Sequence, residues 1–262
     1  MPFLDMNGWK MHYEKVGEGK EVLVFVHGNA ASQRWWDKIK PLLPAEWSAY
    51  FIDLRGFGKS ENQKPYTIEQ FSEDVNKFVT KMKIPPFHYV GHSMGGLIGY
   101  VYAVKFADHL KSLVLVDAPP ATGFPMIDDT VKKNFELLMN DKNMLEMSLR
   151  NHTVAFLKDE EFFKKVIFED ALRSIPHAYT DTVDAVGSVN VLKEVKELKL
   201  PALFIHGEKD AVVPWDWMRQ TFNAFENKQE CVIKNSSHSP MIENPEEFVK
   251  CLKAFIGKER EQ

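Results

Sequence analysis

The sequence predicts an α/β protein: a mostly parallel central sheet flanked by helices and carrying an inserted helical lid. Three observations predict it. Short unbroken apolar runs, such as Val22–Val26 (VLVFV) and Leu113–Val116 (LVLV), suit strands buried on both faces. Helical patterns lie between these runs, so strand and helix alternate, and a parallel sheet covered on both sides is the default way to bury both kinds of apolar face. From Pro119 to Lys199 the alternation stops: no strand-like run occurs, and consecutive helical patterns take over.

Taken in order, Asn7-Gly8 between short alternating stretches marks a hairpin turn, with Trp9 to Val16 as its second strand. Val22–Val26 follows as the first central strand, and Ser48 to Leu54 as another. Thr67 to Met82 reads as a helix, because Ile68, Phe71, Val75, Val79 and Met82 share one face and Thr67 with Gln70 is placed as a capping box. Tyr89 and Val90, after Phe87, end the next buried strand, and Leu97 to Phe106 continues as a helix. Leu113–Val116, Ala202–Ile205 and Gln229–Lys234 complete the strands, and Glu246 to Ile256 closes the chain as a helix. Trp215, Trp217 and Met218 follow Pro214 into a helix that packs on the sheet, whereas Lys193 to Lys199 reads as a solvated helix face.

Residues 1–118 and 200–262 are thus expected to form the core, and 119–199 the lid. The lid is rich in Met and Phe: Phe124, Met126, Phe135, Met139, Met144, Met147, Phe156, Phe162, Phe163 and Phe168. Most of these pack lid on body, and a few line a pocket. Phe124, Met144 and Met147 are the expected lining residues.

Composition narrows the function. Lys and Arg number 33 against 37 Asp and Glu, a net charge of −4, which excludes a strongly basic nucleic-acid binder. Hydrophobic residues at 44% and charged residues at 27% fit a globular chain and exclude disordered, collagen-like and coiled-coil classes. The N-terminus alternates too quickly for a signal peptide, and no apolar run reaches the roughly 18 residues of a membrane span, so a cytoplasmic protein is expected. Cys231 and Cys251 have neither metal-ligand spacing nor a disulfide framework and read as buried thiols.

Chemistry gathers at strand ends. Gly91-His92-Ser93-Met94-Gly95-Gly96 follows a buried strand and opens a helix, the context of a Gly-x-Ser-x-Gly nucleophile elbow. The turn is so tight that its flanking positions must lack side chains, which lifts the Ser93 hydroxyl above the sheet at a helix N-terminus. A serine hydroxyl is a poor nucleophile near neutral pH unless a base takes its proton during attack. An imidazole supplies that base, and a carboxylate on its other nitrogen fixes the tautomer and stabilises the imidazolium.

Four separated motifs together resemble the α/β-hydrolase family over almost the full length. Beside the elbow, they are His27-Gly28-Asn29-Ala30, the loop Asp53-Leu54-Arg55-Gly56-Phe57-Gly58-Lys59-Ser60, the turn His206-Gly207-Glu208-Lys209-Asp210-Ala211-Val212-Val213-Pro214, and the loop Ser237-His238-Ser239-Pro240-Met241-Ile242-Glu243-Asn244-Pro245. The resemblance implies the α/β-hydrolase fold and a triad of Ser93, Asp210 and His238 in the family's chain order. It also implies an oxyanion hole from the backbone N–H groups of Asn29 and Met94. The Asp53–Ser60 loop is mainly structural in this reading. Family members usually place Gly before the catalytic His, where this chain has Ser237, so a slightly altered loop is expected. Asp117, at the end of the preceding buried strand, is the competing acid. His27, His92 and His206 flank strand ends and are expected to brace loops, while His12, His88, His109, His152 and His177 carry no motif. Trp35 and Trp36 either wall the acyl pocket or pack the core.

The implied activity is hydrolysis of carboxylic esters or lactones of small, largely apolar substrates through an acyl-enzyme, with no cofactor. Serine at the elbow argues against haloalkane dehalogenase and epoxide hydrolase chemistry, for which related enzymes place Asp there. Two alternatives stand beside it: a C–C bond hydrolase or lyase-like member using the same triad, and a ligand-binding signalling protein with a vestigial triad. Oligomeric state is open at the level of sequence.

Overall fold

The computed structural model describes residues 2–124, 128–178 and 181–259. Its strands are β1 (Phe3–Asp5), β2 (Lys10–Val16), β3 (Glu21–Val26), β4 (Trp47–Ile52), β5 (Phe87–His92), β6 (Leu110–Val116), β7 (Ala202–Gly207) and β8 (Lys228–Ile233). They form one sheet in the order β1-β2-β4-β3-β5-β6-β7-β8. β1 and β2 pair antiparallel around Asn7 and Gly8, which both hold positive φ (62° and 108°), as a tight hairpin turn requires. β2 is antiparallel to β4, and all later pairings are parallel. Every residue of β3 and of β5 is buried, which is why those strands read as unbroken apolar runs. β8 (KQECVI) lies at the edge of the sheet among the described residues, and its burial is mixed along its length.

β3 and β5 are neighbours, with Val26 opposite Gly91, yet the chain leaves β3 toward β4 on one side and leaves β5 toward β6 on the other. At such a switch point the loops after the two strands part and leave a crevice at their carboxyl ends. The loops carrying His27-Gly28-Asn29 and Ser93 both open there.

Helix α1 (Ile68–Lys81) buries Ile68, Phe71, Val75, Phe78 and Val79. Thr67 Oγ1 accepts from the Gln70 N–H at 3.1 Å, but the Gln70 amide donates to Asp74 Oδ1 and does not reach back, so only half of the expected capping box forms. The reason is that Asp74, itself buried against Arg55, lies one turn along and offers a charged acceptor. Helix α2 (Met94–Phe106) is buried for most of its length.

Between β6 and β7 the described residues contain only helices: α3 (Asp129–Asn140), α4 (Lys142–Ser148), α5 (Glu160–Phe162), α6 (Glu169–Ala178), α7 (Asp181–Ser188) and α8 (Leu192–Val195), with wider π turns at Leu149–Thr153 and Phe163–Phe168. Met126 lies outside the described residues, as do the side chains of Met139 and His177. After β7 come α9 (Trp215–Ala224), α10 (Pro240–Glu243) and α11 (Pro245–Glu259). No helix among the described residues is long and apolar enough to cross a membrane.

The cysteines correct an expectation. Cys231 on β8 and Cys251 on α11 are joined as a disulfide, with Cα atoms 6.4 Å apart. α11 packs on β8 and superposes two positions 20 residues apart in the chain, a proximity that spacing alone does not reveal.

Candidate active site

Ser93 occupies φ 51°, ψ −119° between β5 and α2, a strained conformation for a residue with a side chain. Its backbone is anchored: the Ser93 N–H donates to Val116 O at 2.8 Å, and its carbonyl accepts from the Gly96 N–H at 2.8 Å. The flanking glycines are steric necessities. A Cβ on Gly91 would stand 2.3 Å from Gly95 O, and one on Gly95 would stand 2.3 Å from Val26 O. Both obstacles are backbone and cannot swing aside. Gly91→Ala is therefore expected to lower unfolding free energy by about 1–3 kcal/mol, or more if the elbow cannot yield, and to reduce activity by displacing Ser93. Urea denaturation beside a turnover assay checks it.

Three strand-end loops bring Ser93, Asp210 and His238, the residues expected to form a triad, together. His238 Nε2 lies 3.0 Å from Ser93 Oγ, so a neutral ring presents its lone pair to the hydroxyl hydrogen. His238 Nδ1 donates to Asp210 Oδ2 at 2.8 Å. Asp210 Oδ1 accepts from the Val212 and Val213 N–H groups at 2.8 and 3.0 Å. Burial alone would raise the Asp210 carboxyl, but the charge and hydrogen bond of His238, with the backbone donors, hold it below the usual carboxylate range. The geometry thus gives the His238 ring to Asp210 and leaves Asp117, the competing acid, accepting from the Gly207 N–H at 3.0 Å.

The other strand-end histidines brace loops. His92 is buried, and that burial, with the charge of His238 second, pushes it down to about 3. It therefore stays neutral and donates through Nε2 to the backbone carbonyl of His238 at 2.7 Å, fixing the loop that carries His238. His27 Nδ1 donates to Gly28 O and Nε2 accepts from the Leu54 N–H. His206 bonds Glu230 and stacks on Trp215 with ring centroids 4.2 Å apart. Asp53, from the loop read as structural, accepts from His12 and from the Gln33 and Lys59 N–H groups.

A cavity of about 140 Å³ opens above Ser93 and His238. Asn29 and Met94 line it, the latter as the first residue of α2, where helix N–H groups lack intrahelical acceptors. Trp35 and Phe124 line it as well. Trp36 does not: it is fully buried against Phe25 and Phe248 and packs the core. Met144 and Met147 correct the sequence reading most clearly, since they are 44% and 59% exposed and stand away from the cavity. The walls they were expected to supply come from Phe135, Leu149, Thr153, Val183, Val186 and Val212. Val183 and Val186 share one face of α7 at i,i+3 spacing, a pattern legible in sequence, whereas Leu149 and Thr153 come from a π turn that leaves no such trace. A wider surface groove of about 550 Å³ between Lys38, Phe156 and Glu243 includes none of Ser93, Asp210 and His238.

The helices between β6 and β7 are tied to the same loops. Arg34 pairs with buried Asp170 of α6, and Ser32 Oγ donates to that carboxylate at 2.5 Å. Thr182 Oγ1 donates to Asn29 Oδ1 at 3.2 Å. Ser237, the departure from the family pattern, accepts from the Ala155 N–H at 3.0 Å and donates to Glu243 at 2.7 Å, while Glu243 also accepts from the Phe156 N–H. The altered residue therefore joins the histidine loop to the helical insertion.

Donor atoms of His92, Asp117 and His238 lie within 4.8 Å of one another. They do not suit a metal, because His238 commits both ring nitrogens to Asp210 and Ser93 and His92 commits Nε2 to a carbonyl. Two donor atoms remain, fewer than a metal site needs.

Among curated proteins, the chain is similar to the pimeloyl-[acyl-carrier protein] methyl ester esterase of Wigglesworthia glossinidia brevipalpis, with 26% identity over 93% of this chain and 96% of that one. It is 23% identical to the 2-hydroxy-6-oxo-6-(2'-aminophenyl)hexa-2,4-dienoic acid hydrolase of Metapseudomonas resinovorans, over 98% of this chain and 90% of the relative. Among solved structures, the enol-lactonase of Burkholderia xenovorans LB400 superposes with a TM-score of 0.84 at 23% identity, covering 98% of this chain and all of that one. The model of the alpha/beta hydrolase fold family matches residues 21–245, across the elbow, the Asp210 turn and the His238 loop, and the chain belongs to that family.

Proposed function

We propose that the chain is a serine hydrolase that cleaves carboxylic esters or lactones of small, largely apolar substrates through an acyl-enzyme. The observation that carries this reading is the unbroken Ser93–His238–Asp210 hydrogen-bond chain at the floor of a cavity walled by apolar side chains. Ser93 Oγ attacks the carbonyl carbon as its proton passes to His238 Nε2, and the Asn29 and Met94 N–H groups hold the oxyanion. His238 then protonates the leaving alkoxide oxygen, and water repeats the sequence on the acyl-enzyme. The helical insertion acts as a lid that excludes bulk water from these steps.

Cavity size sets the substrate scale. A chamber of about 140 Å³ is small and suits a short acyl group. Along a series of 4-nitrophenyl esters, kcat/KM is expected to rise by up to about fourfold per methylene, the equivalent of about 0.8 kcal/mol, until the acyl group fills the chamber. It should then fall. Methyl esters and lactones complete the panel, and a fluorophosphonate should label Ser93 once per chain. Absence of turnover on every ester and lactone, with Ser93 unlabelled, overturns the reading. The relative from Metapseudomonas supports a second reading, in which the same triad acts on a 2-hydroxy-6-oxo-dienoic acid, and such an acid belongs in the panel.

A further inference from the structure

Asp117 is a buried acid that the mechanism above does not use. Asp117 follows β6 with φ 43°, a left-handed backbone that Asp and Asn tolerate better than most residues, and its N–H is fixed by Ile205 O at 2.9 Å. The residue is 3% exposed. One carboxyl oxygen, Oδ1, accepts from the Gly207 N–H. The other, Oδ2, meets no N–H or O–H donor among the described residues, and the carboxyl comes within 4.8 Å of a ring nitrogen of His238, the ring that Asp210 Oδ2 holds at 2.8 Å, so the two carboxyl groups are neighbours around one imidazole. Asp210 is better supplied, with two backbone N–H donors and the His238 ring.

Two carboxylates in contact in a dry site cannot both ionise, and a proton between them rests on the one with fewer donors. We infer that Asp117 is a positioning residue that acts as a neutral acid, its Oδ2–H donating to Asp210 and so orienting the carboxylate that holds His238. This rests on the serine-hydrolase reading and deepens it. The groups facing Asp117 are Asp210 from the loop after β7, His238 from the loop after β8, His92 at the end of β5 and Glu243 of α10. Burial, then the charge of Asp210, pushes the Asp117 carboxyl well above the ordinary range, in agreement with the hydrogen-bond arrangement. The Asp117–Asp210 pair then carries one negative charge, held at a fixed angle to the imidazolium formed during attack.

The test compares Asp117→Asn with Asp117→Ala. An asparagine amide reproduces a neutral acid group by group, its oxygen accepting from the Gly207 N–H and its NH2 donating to Asp210. Asp117→Ala should lose about tenfold or more in kcat with KM little changed, and Asp117→Asn should recover most of that loss. The acidic limb of the kcat/KM profile should keep its midpoint in Asp117→Asn. Infrared difference spectra should show a protonated-carboxyl C=O band in the parent that both variants lack. A downward shift of that limb by about one pH unit in Asp117→Asn would mean that a charge had been removed, and would overturn the inference. Absence of the infrared band would overturn it too. If Asp117→Ala fails to fold at its positive φ, the Asn profile and the band still decide. If the parent hydrolyses no ester or lactone, the serine-hydrolase reading falls while the band alone settles the protonation of Asp117.

Discussion

Replacing Ser93 with alanine is expected to lower ester turnover by at least about a thousandfold and to leave the fold intact. The asymmetry follows from what the hydroxyl touches. Among the described residues Ser93 Oγ makes one hydrogen bond, to His238 Nε2, and the strained φ of 51° comes from the elbow backbone, which alanine keeps. The backbone anchors to Val116 and Gly96 do not involve the side chain. Stability should therefore change by no more than about 1 kcal/mol, the typical net worth of one hydrogen bond. Under the proposed mechanism, by contrast, removing the hydroxyl removes the nucleophile and leaves only binding and the proposed oxyanion donors to assist attack by water. Steady-state turnover on an aryl ester, together with a thermal-unfolding midpoint on the same preparation, reads both quantities. Retention of a tenth of the parent rate in a clean preparation would refute the acyl-enzyme proposal.

The sequence exposes the parts of this molecule whose constraints are local. β3 and β5 are buried on both faces, so their apolar runs announce both the strands and the strand ends where Gly28 and Ser93 follow. The elbow is legible for a similar reason, because backbone atoms at 2.3 Å forbid side chains at Gly91 and Gly95. The insertion is harder. Helical periodicity groups residues by face but does not say which face meets the cavity. On α4, Met144 and Met147 share one face and are exposed, while Leu145, with Leu149 four residues on, lies on the other and is buried. The choice between those faces is made by how the insertion docks, through Arg34–Asp170 and Ala155–Ser237, contacts 136 and 82 residues apart in the chain. The joining of Cys231 to Cys251 depends in the same way on how α11 lies across β8. Asp117 and Asp210 both stand at strand ends, and only the 2.8 Å contact to His238 Nδ1 separates their roles.

That contact makes Asp210→Asn the second substitution with a large expected effect. Both carboxylate oxygens of Asp210 receive hydrogen atoms: Oδ1 from the Val212 and Val213 N–H groups, and Oδ2 from His238. An asparagine offers only one acceptor atom, so either orientation has a cost. With its oxygen toward Val212 and Val213, its NH2 faces His238 Nδ1 and donates to it. The ring must then carry its proton on Nε2, which directs an N–H at Ser93 Oγ where a lone pair is needed, and the base is lost. With the amide reversed, two backbone N–H groups point at an NH2, which strains the turn. The first orientation opposes fewer donors and should prevail. The expected result is a fall in kcat of about 10⁴-fold with KM little changed, since the cavity walls and the oxyanion donors are untouched. Asp210→Asn and Asp117→Asn, assayed side by side on one aryl ester, give the check. A loss below tenfold in Asp210→Asn, with a thousandfold loss in Asp117→Asn, would move the triad acid to the end of β6. The structure opposes that outcome because Asp117 would have to displace a carboxylate already held by two backbone donors before it could reach the His238 ring.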